Sequence, residues 1–155
     1  MAEEGKNLLF SVLLKQGKAL EKGPLLSLYA AYCLASVIED CYKIGVSIKW
    51  PNDIYVGERK LVGILLEGRL PEFLIIGMGV NVNETSFVGE YRTPPTSLAL
   101  QLGKEVDIDR LEEKLEQRLY EVIELGKVAE NEIFAYFASH DYLANKKVRL
   151  SLTGE

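Results

Sequence analysis

Residues 73–83, Phe-Leu-Ile-Ile-Gly-Met-Gly-Val-Asn-Val-Asn, constrain the fold of this chain more than any other stretch. Strict alternation puts Leu74, Ile76, Met78, Val80 and Val82 on one side and Gly77, Gly79, Asn81 and Asn83 on the other, the period of a β-strand. The first side is core. The second is almost bare backbone ending in two carboxamides, so the strand belongs in a sheet with one face covered and one face open. The Gly-Met-Gly is no dinucleotide turn, because the third glycine of that fingerprint is missing and a polar loop follows in place of a helix.

A second alternating segment points to the same open face. Ile44, Val46, Ile48 and Trp50 fall on one side, and Gly45, Ser47 and Lys49 on the other, so the Lys49 ammonium emerges opposite the apolar set beside two small residues. Pro51 cannot donate to a ladder and holds Trp50 extended, which ends the strand and lets Asn52-Asp53 turn the chain. Residues 54–56, a polar Gly57-Glu58-Arg59-Lys60 and residues 61–67 then read as a hairpin with a four-residue loop, and Gly63 inside its second arm reads as a bulge. A lysine at a strand end is by itself a solvated charge. In one sheet with Gly63, Gly77 and Gly79, however, it rims a shallow trough in which a flat ligand fits.

Residues 7–14 form a short apolar run bounded by glycines and read as a central strand covered on both faces. From Pro24 to about Lys43 the apolar residues cycle near the helical period on almost every side, so this helix is expected to lie deep against the sheet, with Gly45 as its left-handed stop. After a loop at residues 85–95, Thr96-Ser97-Leu98 starts a short helix to Leu102. Asp109, with Glu112 as its capping-box partner, starts an amphipathic helix whose inner face is Leu111, Leu115, Leu119, Val122 and Ile123, ended by Gly126. A further helix over residues 131–139 packs Ile133, Phe134 and Phe137 inward, with His140 as a partner of its C-terminal dipole. Residues 147–152 alternate like the first strand of another unit.

With 155 residues, 48% hydrophobic and 26% charged, the chain suffices for one globular domain. A net charge of −5 and a pI near 5.1 argue against a general nucleic-acid binder, and no basic run suggests a membrane surface. No apolar stretch is expected to reach the roughly 20 residues that span a bilayer, and the acidic N-terminus is unlike a signal peptide, so the expected location is cytoplasmic. Cys33 and Cys41 lie roughly 12 Å apart along one helix axis, too far to bridge, and are expected to be buried thiols. No metal-ligand spacing surrounds them or His140.

Lys49-Trp50-Pro51-Asn52-Asp53, then Lys60-Leu61-Val62-Gly63-Ile64-Leu65-Leu66-Glu67, then Ile76-Gly77-Met78-Gly79-Val80-Asn81-Val82-Asn83, in this order and at these separations, resemble the catalytic domain of biotin–protein ligases, the biotin–[acetyl-CoA-carboxylase] ligases. The resemblance runs from about Glu4 to Leu152. It implies an α+β fold like the core of class II aminoacyl-tRNA synthetases, a mixed, largely antiparallel sheet with helices on one side. It divides the chain into a catalytic domain at 1–144 and the start of a C-terminal β domain at 145–155. The implied reaction joins biotin and ATP, with Mg2+, into biotinyl-adenylate and passes the biotinyl group to a lysine of a carboxylase's biotin carboxyl carrier domain. By resemblance Lys49 is catalytic and contacts biotin, Gly63 and Ile64 wall the biotin pocket, Gly79 and Asn81 meet the nucleotide, and Trp50, Pro51, Asn52 and Asp53 brace the turn that aims Lys49. A homodimer through strand edges near Leu61–Leu70 is expected.

By the same resemblance the family's Gly-Arg-Gly-Arg-x-Gly-Arg loop is expected just ahead of Glu3, where this sequence has only its first residues, and a small C-terminal β domain is expected beyond the strand that starts at 147. The sequence therefore reads as a fragment, a misplaced start, one piece of a split enzyme or a stripped relative, with weak or no adenylate synthesis expected. Two alternatives stay open: a non-catalytic binding or dimerisation module, and a lipoate–protein ligase relative.

Overall fold

The computed structural model describes residues 5–15 and 17–148. Five strands, β1 (Leu8–Leu14), β2 (Ser47–Lys49), β3 (Asp53–Val56), β4 (Arg59–Arg69) and β5 (Phe73–Val80), form one sheet in the order β1-β5-β4-β3-β2. Every strand pair is antiparallel. After β1 the chain passes through a short helix α1 (Lys18–Glu21), a 3₁₀ turn (Gly23–Leu25) and the long helix α2 (Leu26–Tyr42). It then enters the sheet at the opposite edge and returns strand by strand until β5 lies against β1. The remaining helices are α3 (Leu98–Leu102), α4 (Ile108–Leu119), continued by a π-turn at Tyr120–Glu124, and α5 (Glu130–Ser139).

One row across the sheet, Leu8, Val80, Val62, Ile54 and Ile48, is buried from end to end, and α2 packs on that face. The depth expected of α2 is found, with buried residues from Leu26 to Ile38 around most of its circumference. The helical stretch Gly23–Tyr42 is nonetheless long and apolar enough, by length and composition, to cross a membrane, contrary to the expectation of no such run; most of it is buried inside the protein. Its left-handed stop is Lys43, at φ 57°, and not Gly45. The inner face foreseen for α4 and its extension is buried, but the cap is Asp107, which accepts from the Arg110 amide at 3.0 Å, so Asp109 sits inside the first turn.

Other expectations are corrected by topology. β1 is an edge strand, and Leu9 is 83% exposed on the open face, because the sheet's meander ends against one side of β1 only. Alternation in β2 stops at Lys49; Trp50 stands in the following turn, 66% exposed, with a cis peptide to Pro51. The hairpin loop is the two residues Gly57-Glu58, since β4 already begins at Arg59. Phe134 lies 42% exposed, and Tyr136 takes the inward position, its hydroxyl donating to Glu39 at 2.7 Å. Cys41 is exposed while Cys33 is buried, and both are free. The expected strand at 147–152 falls mostly outside the described residues.

Candidate functional site

Cross-strand partners in a sheet share a face, and one row of partners here reads Leu9, Gly79, Gly63, Asp53, Lys49 from edge to edge. At one strand spacing per step it spans roughly 19 Å. It lies on the open face, and all of it but Lys49, which stands beyond the lining, floors with Ser11, Gly77 and Leu65 of the neighbouring row a trough of about 410 Å³. The row is graded from an exposed leucine, through two bare glycines, to a carboxylate and an ammonium.

Neither glycine is required by the backbone, for Gly63 and Gly79 both have ordinary φ. A Cβ at Gly79 would meet only Leu9 Cδ2 at 3.6 Å, and one at Gly77 nothing closer than 3.7 Å, both ordinary contacts. The chain itself thus leaves space there that it does not need for its own packing.

Gly63 is not a bulge. The register slips two residues lower, where Ile54 pairs with Val62 and Tyr55 with Lys60, leaving Leu61 unpaired. Both Leu61 and Val62 are therefore buried, and the extra residue turns Lys60 onto the open face, where simple alternation from Gly63 would have sent it into the core. Lys60 Nζ lies 2.7 Å from Asp53 Oδ1 and would sit 3.4 Å from a Cβ at Gly63. Sequence reasoning missed Lys60 because a bulge among consecutive apolar residues leaves no mark on the pattern.

Lys49 stands one strand beyond Asp53, with Nζ 5.9 Å from the centre of the Tyr55 ring. Ser47 faces Tyr55, so that part of the open face is filled. Tyr55 is in turn covered by Tyr142, ring centres 4.4 Å apart. Glu58 holds this cover: it takes the Tyr142 hydroxyl and pairs with Lys146 at 2.7 Å. Those two bonds, Lys146 first, hold the Glu58 carboxyl below the usual carboxylate range. His140 donates no chemistry to the trough; its carbonyl accepts from Ile48 at 2.7 Å and ties the β2 edge down.

Asn52 clips the turn to β4, its side-chain amide donating to the Ile64 carbonyl at 2.8 Å while its own carbonyl accepts from the Ile64 amide at 2.9 Å. Ile64 itself buries its side chain on the core face and offers the trough only backbone. Asn81 lies past the end of β5, donating to the Thr96 carbonyl at 3.0 Å. Asn83 bonds both amide and carbonyl of Val106 at 2.8 Å. Among the described residues no group of three or more His, Cys, Asp or Glu could hold a metal ion.

A sequence profile of the Biotin/lipoate A/B protein ligase family matches residues 2–83. The bifunctional ligase/repressor BirA of Bacillus subtilis is 38% identical over 112 residues, 68% of this chain and 34% of that protein. BirA of Escherichia coli is 39% identical over 84 residues, 50% of this chain and 26% of that protein. The chain thus spans about a third or less of these relatives. Among solved structures, biotin protein ligase from Aquifex aeolicus superposes with a TM-score of 0.84 at 30% identity, over 97% of this chain and 68% of that one. The same enzyme in complex with biotin and ATP gives 0.74 at 28% identity, over 88% and 59%. The profile match takes in the edge strand, the buried helix and all three motifs of the trough, and the chain belongs to the Biotin/lipoate A/B protein ligase family.

Proposed function

We propose that the chain is the catalytic core of a biotin–protein ligase, with the trough as its biotin site. The observation that carries this is the graded row. A ligand with a compact ring system and a carboxylate-tipped chain lies over Gly79 and Gly63 against Leu9 and directs its head toward the end formed by Asp53 and Lys60, with Lys49 one strand beyond. The relatives' names and the ligase complex with biotin and ATP favour biotin over other acids. The tighter Lys-Trp-Pro-Asn-Asp resemblance also favours biotin over lipoate.

In this reading the biotin carboxylate attacks the α-phosphorus of ATP. A carbonyl–oxygen–phosphorus link forms, the bond to the β-phosphate breaks, and pyrophosphate leaves. A carrier-domain lysine amine then attacks the acyl carbon, and AMP leaves. Lys49 is the fixed cation for charge developing on the phosphoryl oxygens. Its ring contact with the covered Tyr55 limits where the ammonium goes. Asn52 aims it through the turn, and Trp50 and Pro51 complete that turn. Asn81, its amide nitrogen engaged by Thr96, meets the nucleotide through its side-chain oxygen beside the bare backbone of Gly79. The acceptor is a biotin carboxyl carrier domain, the location the cytoplasm, and the assembly a homodimer. The arm Leu61–Leu70 supplies an edge only from Leu65 to Arg69, because β3 already pairs with residues 59–63.

The test is pyrophosphate release with biotin and ATP, together with thermal melting. With the family's Gly-Arg-Gly-Arg-x-Gly-Arg loop joined ahead of the chain, Lys49→Ala is expected to lower the rate by about a hundredfold or more, the scale of one lost transition-state donor, while the melting temperature holds. An unchanged rate makes Lys49 a solvated strand end and removes the reading. Binding of biotin without any pyrophosphate release would mark the chain as a non-catalytic binding module.

A further inference from the structure

Over β2 and β3 the charged end of the trough is covered on one side and bare on the other. The Lys49–Asp53 pair has Tyr55 with its cover Tyr142 on one side, and on the other the turn that joins the two strands. That turn leaves Trp50 66% exposed, with Pro51 exposed beside it. We infer that Trp50 is the docking contact for the acceptor protein, the carrier domain whose lysine takes the acyl group. This rests on the ligase reading of the trough and adds to it the surface on which the second substrate stands.

A single exposed apolar side chain means little by itself; place and rigidity give Trp50 its meaning. The ligand's head lies at the Asp53–Lys60 end, so the attacking amine arrives there from solvent, on the four-carbon stem of a lysine. On the Tyr55 side that approach is taken up by Tyr142, which Glu58 holds through its hydroxyl. On the other side stands Trp50, three residues before Asp53. The turn beneath it is clamped: the Asn52 amide donates to the Lys49 carbonyl at 3.2 Å, and Asn52 meets Ile64 through side chain and backbone at 2.8 and 2.9 Å. An aromatic ring held out on a fixed turn loses little freedom on docking, which suits it as an anchor. Among the described residues the indole makes no hydrogen bond and no ring contact. Lys49 and Lys60 outnumber Asp53 at this end, so the face of the carrier domain that fits it is acidic around an apolar pocket.

Trp50 is the only tryptophan in the sequence, so its fluorescence reports on its own burial. A tryptophan-free biotin carboxyl carrier domain, titrated into the chain, is expected to move the emission to shorter wavelength and to shield it from acrylamide along one saturation curve. Calorimetry of the same pair should show Trp50→Ser weakening the carrier domain about tenfold or more, and Trp50→Phe, which keeps a flat apolar ring, weakening it less. Melting curves check both variants, and the wild-type titration decides even where a variant does not fold. Saturable binding with the emission unmoved and the quenching undiminished overturns the Trp50 surface and leaves the ligase reading standing, as does equal affinity of wild type and Trp50→Ser. A wild-type chain that does not bind the carrier domain overturns the carrier reading, and the docking surface falls with it.

Discussion

Gly79 is the residue whose absence of a side chain matters most. Its backbone is ordinary and a Cβ there would only touch Leu9, so the fold has no use for a glycine at that point. Gly79→Ala is expected to hold or raise stability by about 0.5–1 kcal/mol, through lower entropy of the unfolded chain. The same methyl intrudes on the ligand and should weaken biotin by roughly five- to a hundredfold, the cost of overpacking by one small group. Melting and calorimetry on one sample read both, and a loss of stability without a loss of binding would mean that the trough is empty by accident. The thiols separate in a similar way. Burial pushes Cys33 up to about 12, whereas Cys41 is exposed. Iodoacetamide at pH 8 should label the native chain once, at Cys41, and twice only after unfolding; two labels on the native protein would contradict the buried setting of Cys33. Alternation identified the glycines because it is printed in the residue order. Lys60 was not legible, since its face depends on a register slip set by the pairing of Ile54 and Tyr55 with another strand.

At the scale of elements, the periodic signals were the legible ones. β5 alternates as its sequence does, and the apolar positions of α4 recur every three to four residues and end up buried. Ends were less legible, because several acidic residues near a helix start compete for the cap and geometry decides among them. Asp107 holds the Arg110 amide, so Asp107→Ala should cost about 1 kcal/mol, whereas Asp109→Ala should cost only a few tenths through the helix dipole. Urea unfolding of the two variants distinguishes them, and a larger loss for Asp109→Ala would restore the capping box with Glu112. Trp50 shows the same limit: the strand that gives Ile48 its inward position ends before it, and no count of apolar residues reveals where a strand stops.

For the whole molecule, a run of leucines suggested a central strand where the topology made an edge, because burial on two faces is a property of the sheet and not of the run. The same topology builds the site: four successive pairings bring residues as distant in sequence as Leu9 and Lys49 into one row, and that row carries the functional account. The direct test is a titration of the isotope-labelled chain with millimolar biotin, followed by amide chemical shifts. The account predicts shifts concentrated at Leu9, Gly63, Leu65, Gly77 and Gly79 and on Lys60, with the far side of the molecule still. Shifts centred instead on the polar cavity between Asp40 and Lys114, at the C-terminal end of α2 and the start of α4, or an unchanged spectrum, would contradict it.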